Sequence, residues 1–130
     1  MIKIPSQLEP YHFYKIIRNG KLPAQKGWNQ KETTHTYGST AILMHLADGK
    51  NYGVTTGVNG LIILDFDNYA FYEDARKYLP DTFTVISASK RLPHLYYNLI
   101  GEMIHKRPVV GKDGKTLMDI LAGGAGAVGP

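Results

Sequence analysis

The sequence predicts an α+β domain built on a mostly antiparallel sheet. Three observations carry this. Five short apolar runs of strand length lie between residues 52 and 121. Two of the joins between them are turn-like: Gly57-Val58-Asn59-Gly60, and a loop containing Lys90 and Arg91. Helical periodicity is confined to a few segments that flank or interrupt these runs. At 130 residues the chain fits one compact domain with a core, taken as residues 1–130.

In chain order, Ser6-Gln7-Leu8-Glu9 reads as a capping box with Pro10 in the first turn. The spacing of Tyr11, Tyr14 and Ile17 then predicts a helix stopping near Gly20. Residues 20–35 are polar without period and read as a loop. Thr40 to Ala47 reads as a helix with Gly49 beyond its end. Tyr52 to Thr56 and Leu61 to Phe66 read as strands around a turn. Asn68 is an N-cap for a helix from Tyr69 to Leu79, with Phe71, Ala75 and Tyr78 at helical spacing. Thr82 to Ser87, His94 to Leu99 and Leu117 to Leu121 complete the strands. The glycine-rich end, Gly123 to Pro130, shows neither a packed helix nor a clear strand, and the chain is expected to stop partway through a larger protein.

Composition excludes several classes of chemistry. There is no cysteine, so disulfides, thiolate metal sites and cysteine nucleophiles are absent, which fits a cytoplasmic protein. No apolar stretch is long enough to span a bilayer. The net charge is +4, and the surplus lies in the first sixty residues. That balance is compatible with a polyanionic partner and equally with a solvated basic surface.

The residues richest in chemistry are acidic. Leu61-Ile62-Ile63-Leu64-Asp65-Phe66-Asp67 is an apolar strand ending in two aspartates. Side chains two apart on a strand share a face, so Asp65 and Asp67 project together. Paired carboxylates repel unless one is protonated or a cation sits between them. Hard oxygen ligands suit Mg²⁺ and Mn²⁺. Asp119 interrupts a second apolar strand, where an acid is costly to bury unless paired or metal-bound. Were the two strands neighbours, Asp65, Asp67 and Asp119 would converge to hold two ions for in-line phosphoryl transfer. The plainer alternative is that Asp65 and Asp67 only cap the helix and turn that follow.

A second group spans Ser87-Ala88-Ser89-Lys90-Arg91-Leu92-Pro93-His94. Hydroxyls, two cations and an imidazole in one loop suit a triphosphate. Ser87, Ser89, Lys90, Arg91 and His94 are therefore candidate nucleotide-binding residues, against the plainer reading of an exposed basic turn. Lys106, Arg107, Lys112 and Lys115 flank Gly111 and Gly114; they suit either a nucleic-acid backbone or a solvated hairpin. Trp28 is read as packing the early loop. His12, His35, His45 and His105 lack metal-ligand spacing and are given no role.

These blocks together resemble the Prim-Pol (bifunctional DNA primase/polymerase) family of the archaeo-eukaryotic primase superfamily. Leu22 to Trp28 is similar to the family's early Lys/Pro-rich segment with a tryptophan. Tyr52 to Gly57, followed by Gly60 to Asp67, resembles its "GxxTG…GLxxLDxD" block. Ser87 to Tyr97 resembles its turn leading to "HxYY", and Asp119 with Gly123-Gly124 its late acid and glycine turn. The resemblance implies an RRM-like palm with an N-terminal α/β unit. It also implies Asp65, Asp67 and Asp119 as metal-binding acids for Mg²⁺ or Mn²⁺. His94, with Ser89 and a nearby cation, would hold the phosphates of an incoming dNTP or NTP. The implied activity is nucleotidyl transfer directed by a single-stranded DNA template, in plasmid or viral replication, with a helicase domain downstream in many relatives. The chain departs from the family where Lys90-Arg91-Leu92-Pro93 fill a loop that often holds glycines.

Three further readings fit some of the same residues. Leu64-Asp65-Phe66-Asp67 resembles the nucleophile strand of haloacid-dehalogenase-type phosphatases, but Tyr69 replaces the expected small hydroxyl residue. A non-catalytic nucleic-acid-binding module would use the basic half and the tyrosines for stacking. Three acids also suit a metal-dependent nuclease.

Overall fold

A computed structural model describes residues 2–16, 23, 34–86, 91–101 and 104–130. The described chain is α+β, with two antiparallel sheets and two α-helices. Its strands are β1 (His12–Lys15), β2 (His35–Thr36), β3 (Tyr52–Thr55), β4 (Leu61–Phe66), β5 (Thr84–Ile86), β6 (Pro93–Asn98), β7 (Arg107–Val110), β8 (Thr116–Leu121) and β9 (Gly126–Val128). The helices are α1 (Thr40–Ala47) and α2 (Tyr69–Ala75). One sheet runs β2-β1-β3-β9 and the other β5-β6-β4-β8-β7.

Both helices start where a side chain satisfies a free backbone donor. Ser39 accepts from Ile42 N–H at 3.3 Å, and Asn68 accepts from Phe71 N–H at 2.9 Å. α2 gives way after Ala75 to a single 3₁₀ turn, Arg76–Tyr78. Its inward residues are Phe71, Tyr72, Ala75 and Leu79, which pack on Leu64, Phe66 and Leu95. Tyr78, expected to face inward, is 84% exposed, because the tighter last turn rotates it off the apolar stripe.

Two sequence expectations are overturned. The helix over Ser6 to Gly20 is absent in its described part: Ser6–Leu8 is one 3₁₀ turn without a side-chain cap, and His12–Lys15 is a strand. Adjacent Phe13 and Tyr14 are both buried, as in a strand covered on both faces, and pairing with β3 outweighs the helical spacing. The glycine-rich end does form a strand, β9, paired with β3. Gly126 in β9 and Gly53 in β3 make room for Tyr14, since a Cβ at either would lie within 2.3 Å of its ring. The expected strands β3 and β4 and the turn between them are present, and the two strands belong to different sheets. The Gly57–Gly60 turn carries the chain from one sheet to the other, using left-handed backbone at Gly57 (φ 88°) and Gly60 (φ 73°). Trp28 and most of the expected loop over 20–35 lie outside the described residues.

The main core joins both sheets and α1: Phe13, Ile42, Leu46, Tyr52, Val54, Ile63, Tyr96 and Leu121 are all buried. His45 lies beside it, its Nε2 2.7 Å from the Asn51 carbonyl and 3.0 Å from that of Ile16, a structural placement. Among the described residues no helix is long and apolar enough to cross a membrane.

Two outcomes test this packing. Gly60→Ala places a Cβ 2.5 Å from the Leu99 carbonyl oxygen at positive φ. It is expected to cost about 1–3 kcal/mol in urea unfolding. Burial raises the phenol pKa of Tyr14 to about 12 and pushes those of Tyr52 and Tyr96 higher still. Unfolded phenols titrate near ~10. Because the folded values are raised, the stabilisation is complete below ~10 and is lost as pH rises through the folded values. Denaturant midpoints should hold level from pH ~9 to ~10 and fall from there to ~12, and Tyr52→Phe should flatten the fall.

Candidate functional site

The site follows from strand register. β4 lies between β6 and β8, and Asp65 sits directly opposite His94 on one side and Asp119 on the other. Directly opposed residues in antiparallel strands point to the same face. The row across the three central strands is therefore His94, Asp65, Asp119. Pairing continues past the end of β4, where Asp67 N–H donates to the Leu117 carbonyl at 2.9 Å. Asp67 thus stays against β8, two residues beyond Asp65 and on its side of the sheet.

The opposite face explains why the acids point this way. Leu64, Phe66, Leu95, Met118 and Ile120 alternate with the row residues and pack against α2. On the acid-bearing face, the next row is Ile63, Tyr96 and Leu121, all buried in the main core. The carboxylates stand at the rim of that core, and Asp65, Asp67 and Asp119 are all half-buried.

His94 Nε2 lies 3.1 Å from Asp65 Oδ1, with the side chains 13% and 22% exposed. At that distance imidazole and carboxylate form a charge-assisted contact whenever the ring is protonated. The other ring nitrogen, His94 Nδ1, is buried without a hydrogen-bond partner among the described residues. A buried nitrogen in that state is an unmet donor or acceptor at the edge of the acid row. Behind it, the Tyr96 phenol is also buried and unpartnered among the described residues. Its pKa is raised by burial first and by the nearby Tyr52 and Tyr14 phenols second.

Asp65 and Asp119 are like charges directly across from each other, an arrangement that costs stability on its own. Among the described residues, no three His, Asp or Glu side chains are gathered closely enough to hold one ion as they stand. Asp65 instead reaches toward His94. The donor set nonetheless fits a divalent cation by its chemistry: hard carboxylate oxygens on one face, on adjacent strands, with a charge repulsion that a cation would relieve.

Of the nucleotide-binding candidates, Ser87, Ser89 and Lys90 lie outside the described residues. Arg91 is exposed, with a left-handed backbone at φ 57°. That is a conformation glycine adopts freely and other residues seldom do. At Arg91 the loop before β6 therefore takes a glycine-like backbone without a glycine. A polar cleft of about 240 Å³ lined by Tyr72, Arg76, Thr82 and Thr84 lies beside α2, on the other side of the sheet. From the sequence, His94 is expected to face the site if it shares a face with Tyr96, and the two do lie on one face of β6; the direct Asp65–His94 contact is what sequence reasoning missed.

A search of curated proteins finds no match to this chain. A family model does match, described as "Bifunctional DNA primase/polymerase, N-terminal", over residues 8–130. That span holds Asp65, Asp67, His94 and Asp119, and the chain belongs to the Prim-Pol family.

Proposed function

We propose that this domain joins nucleotides to a primer on a single-stranded DNA template, with Asp65, Asp67 and Asp119 as its catalytic carboxylates. Family membership implies DNA primase/polymerase activity in general. The observation that supports these particular residues is the register that sets Asp65 between His94 and Asp119. In this reading the five-stranded sheet serves as an RRM-like palm, with α2 behind it and the acids in front.

Asp65, Asp67 and Asp119 would hold two Mg²⁺ or Mn²⁺ ions. When bound, such ions supply charge neutralisation at the attacking and leaving oxygens of an in-line displacement. The chain's own groups do the rest. Asp65, fixed by pairing on both sides, orients the site, and Asp119 completes it from the neighbouring strand. His94 donates to a phosphate oxygen of the incoming dNTP or NTP, a charge-assisted bond when the ring carries both protons. Ser87, Ser89, Lys90 and Arg91 precede it in the chain and add hydroxyl and cationic contacts to the same triphosphate. The hydrophobic wall of Ile63 and Leu121 limits water on the inner side. The family match leaves the phosphatase reading without support, and the binding-module reading becomes an outcome of the test.

Primer extension and de novo priming, with Mg²⁺ or Mn²⁺ and each nucleotide class, test the proposal. Asp65→Asn and Asp119→Asn should each lower incorporation by at least about a hundredfold while template binding persists. Incorporation at the wild-type rate by either variant would refute the assignment. A wild-type chain that binds DNA but incorporates nothing would support the binding module.

His94→Ala should raise KM for the nucleotide more than it lowers kcat, with primer–template affinity unchanged. Asp119→Asn carries a second signature. It removes the cross-strand repulsion, so in a chelator its thermal midpoint should rise by an amount equivalent to about 0.2–1 kcal/mol. Added Mn²⁺ should stabilise the wild type more than the variant.

A further inference from the structure

β7 and β8 form the outer hairpin of the larger sheet, and the carboxylate row uses only one of its residues, Asp119. Its turn is closed by Gly111 N–H to the Lys115 carbonyl at 2.9 Å and Gly114 N–H to the Gly111 carbonyl at 3.0 Å. Lys106 and Arg107 lie at one end of the hairpin, and Lys112 and Lys115 at the turn. All four are exposed, and none pairs with an acid among the described residues. By contrast Lys50, Arg76 and Lys77 each sit beside a nearby carboxylate. The single acid of the turn, Asp113, is engaged by the Lys115 backbone N–H at 3.0 Å.

Edge protection accounts for part of this. β7 is an edge strand, and Pro108 and charged residues discourage a foreign strand from pairing with it. Lys112 and Lys115 lie beyond the paired rungs, where no such protection is needed. The position of the hairpin is telling. Pro108 is the register partner of Asp119 and shares its face, whereas Arg107, opposite Ile120, starts on the α2 face of this edge strand; Lys106 and the turn lysines lie beyond the paired rungs at the two ends of the hairpin. At ~3.3 Å per residue, Lys115 is about 13 Å from Asp119 along β8. The segment from Ile104 to Leu117 contains no Phe, Tyr or Trp, and its one ring is the imidazole of His105. Surfaces that bind single strands stack bases on aromatic rings. A ribbon offering four cations and no Phe, Tyr or Trp suits backbone phosphates instead.

We propose that the β7–β8 hairpin grips the phosphate backbone of the duplex formed by primer and template, next to the acid row. The duplex's identity as primer and template rests on the nucleotidyl-transfer reading; the binding surface itself does not. The test is therefore made without nucleotide or divalent metal. Anisotropy of a labelled duplex, and of one of its strands alone, is followed from about 50 to about 200 mM salt. The chains compared are the wild type, Lys112→Gln/Lys115→Gln, the quadruple variant adding Lys106→Gln and Arg107→Gln, and a control charge-matched to the turn pair, Lys50→Gln/Lys77→Gln.

The quadruple variant should lose duplex affinity about tenfold or more near 0.15 M salt, with a log–log salt slope shallower by about 2–4. The turn pair should account for about half of the slope change, and the control should match the wild type. Single-strand affinity should change less than about threefold, since stacking contacts are untouched. A wild-type slope in the quadruple variant, an equal loss in the control, or a loss confined to the single strand would each overturn the proposal. Circular dichroism checks folding; if the quadruple variant is unfolded, the turn pair carries the test. Asp65→Asn should keep the wild-type slope while losing incorporation, so the two claims fail separately.

Discussion

The antiparallel register of β4 between β6 and β8 is the constraint on which the rest depends. Because side chains alternate, a slip of one residue would turn Asp65 toward α2 and Leu64 toward the acid face. What fixes the register is apolar burial on the side away from the acids. Phe66 is fully buried, Leu64 and Leu95 nearly so, and α2 seals them. Fully burying each such side chain contributes about 1.5–3 kcal/mol. The like-charge opposition of Asp65 and Asp119 costs about 1 kcal/mol or less. Hydrophobic burial therefore wins comfortably, and the acids are held together by forces in which they take no part.

The smaller sheet contributes through its glycines and tyrosines. Tyr14 takes the space above Gly53 and Gly126, and the Tyr52 ring takes the space a Cβ at Gly129 would need. These close contacts tie β9, at the end of the chain, to β1 and β3. β9 follows β8 after a short turn, so the same contacts help to fix where β8 ends. The left-handed glycines of the Gly57–Gly60 turn do the equivalent job at the start of β4. β4 is thus anchored at the end remote from its acids, and β8 two residues beyond Asp119.

Much of this was legible in the sequence, for identifiable reasons. α1 and its boundaries were readable because Gly49 follows its end, and β4 because an apolar run ends abruptly in Asp65-Phe66-Asp67. The N-terminal strand was not readable, since Tyr11, Tyr14 and Ile17 mimic a helical stripe and only pairing with β3 decides otherwise. β9 was hidden because a glycine-rich run carries no pattern of its own; its meaning lies in the Tyr14 and Tyr52 rings it accommodates. The grouping of Asp119 with Asp65 was foreseen as a condition on strand adjacency, and the register meets that condition. The nearness of His94 to Asp65 was out of reach, because a cross-strand partner cannot be read from sequence separation.

The electrostatics of the acid face set the division of labour among the cations. Three carboxylates repel the polyanion that a nucleotidyl-transfer site must admit. The cations of the hairpin turn do not cancel that repulsion: they lie about 13 Å away along β8, beyond the ~8 Å screening length at physiological salt. They act on whatever phosphates lie beside them. Neutralisation at the row has to come from closer in. His94, 3.1 Å from Asp65, supplies at most one positive charge and only when doubly protonated. Asp119, on the opposite flank of Asp65, has no comparable cationic neighbour among the described residues. The imbalance is greatest between β4 and β8, and that is where a divalent ion would gain most.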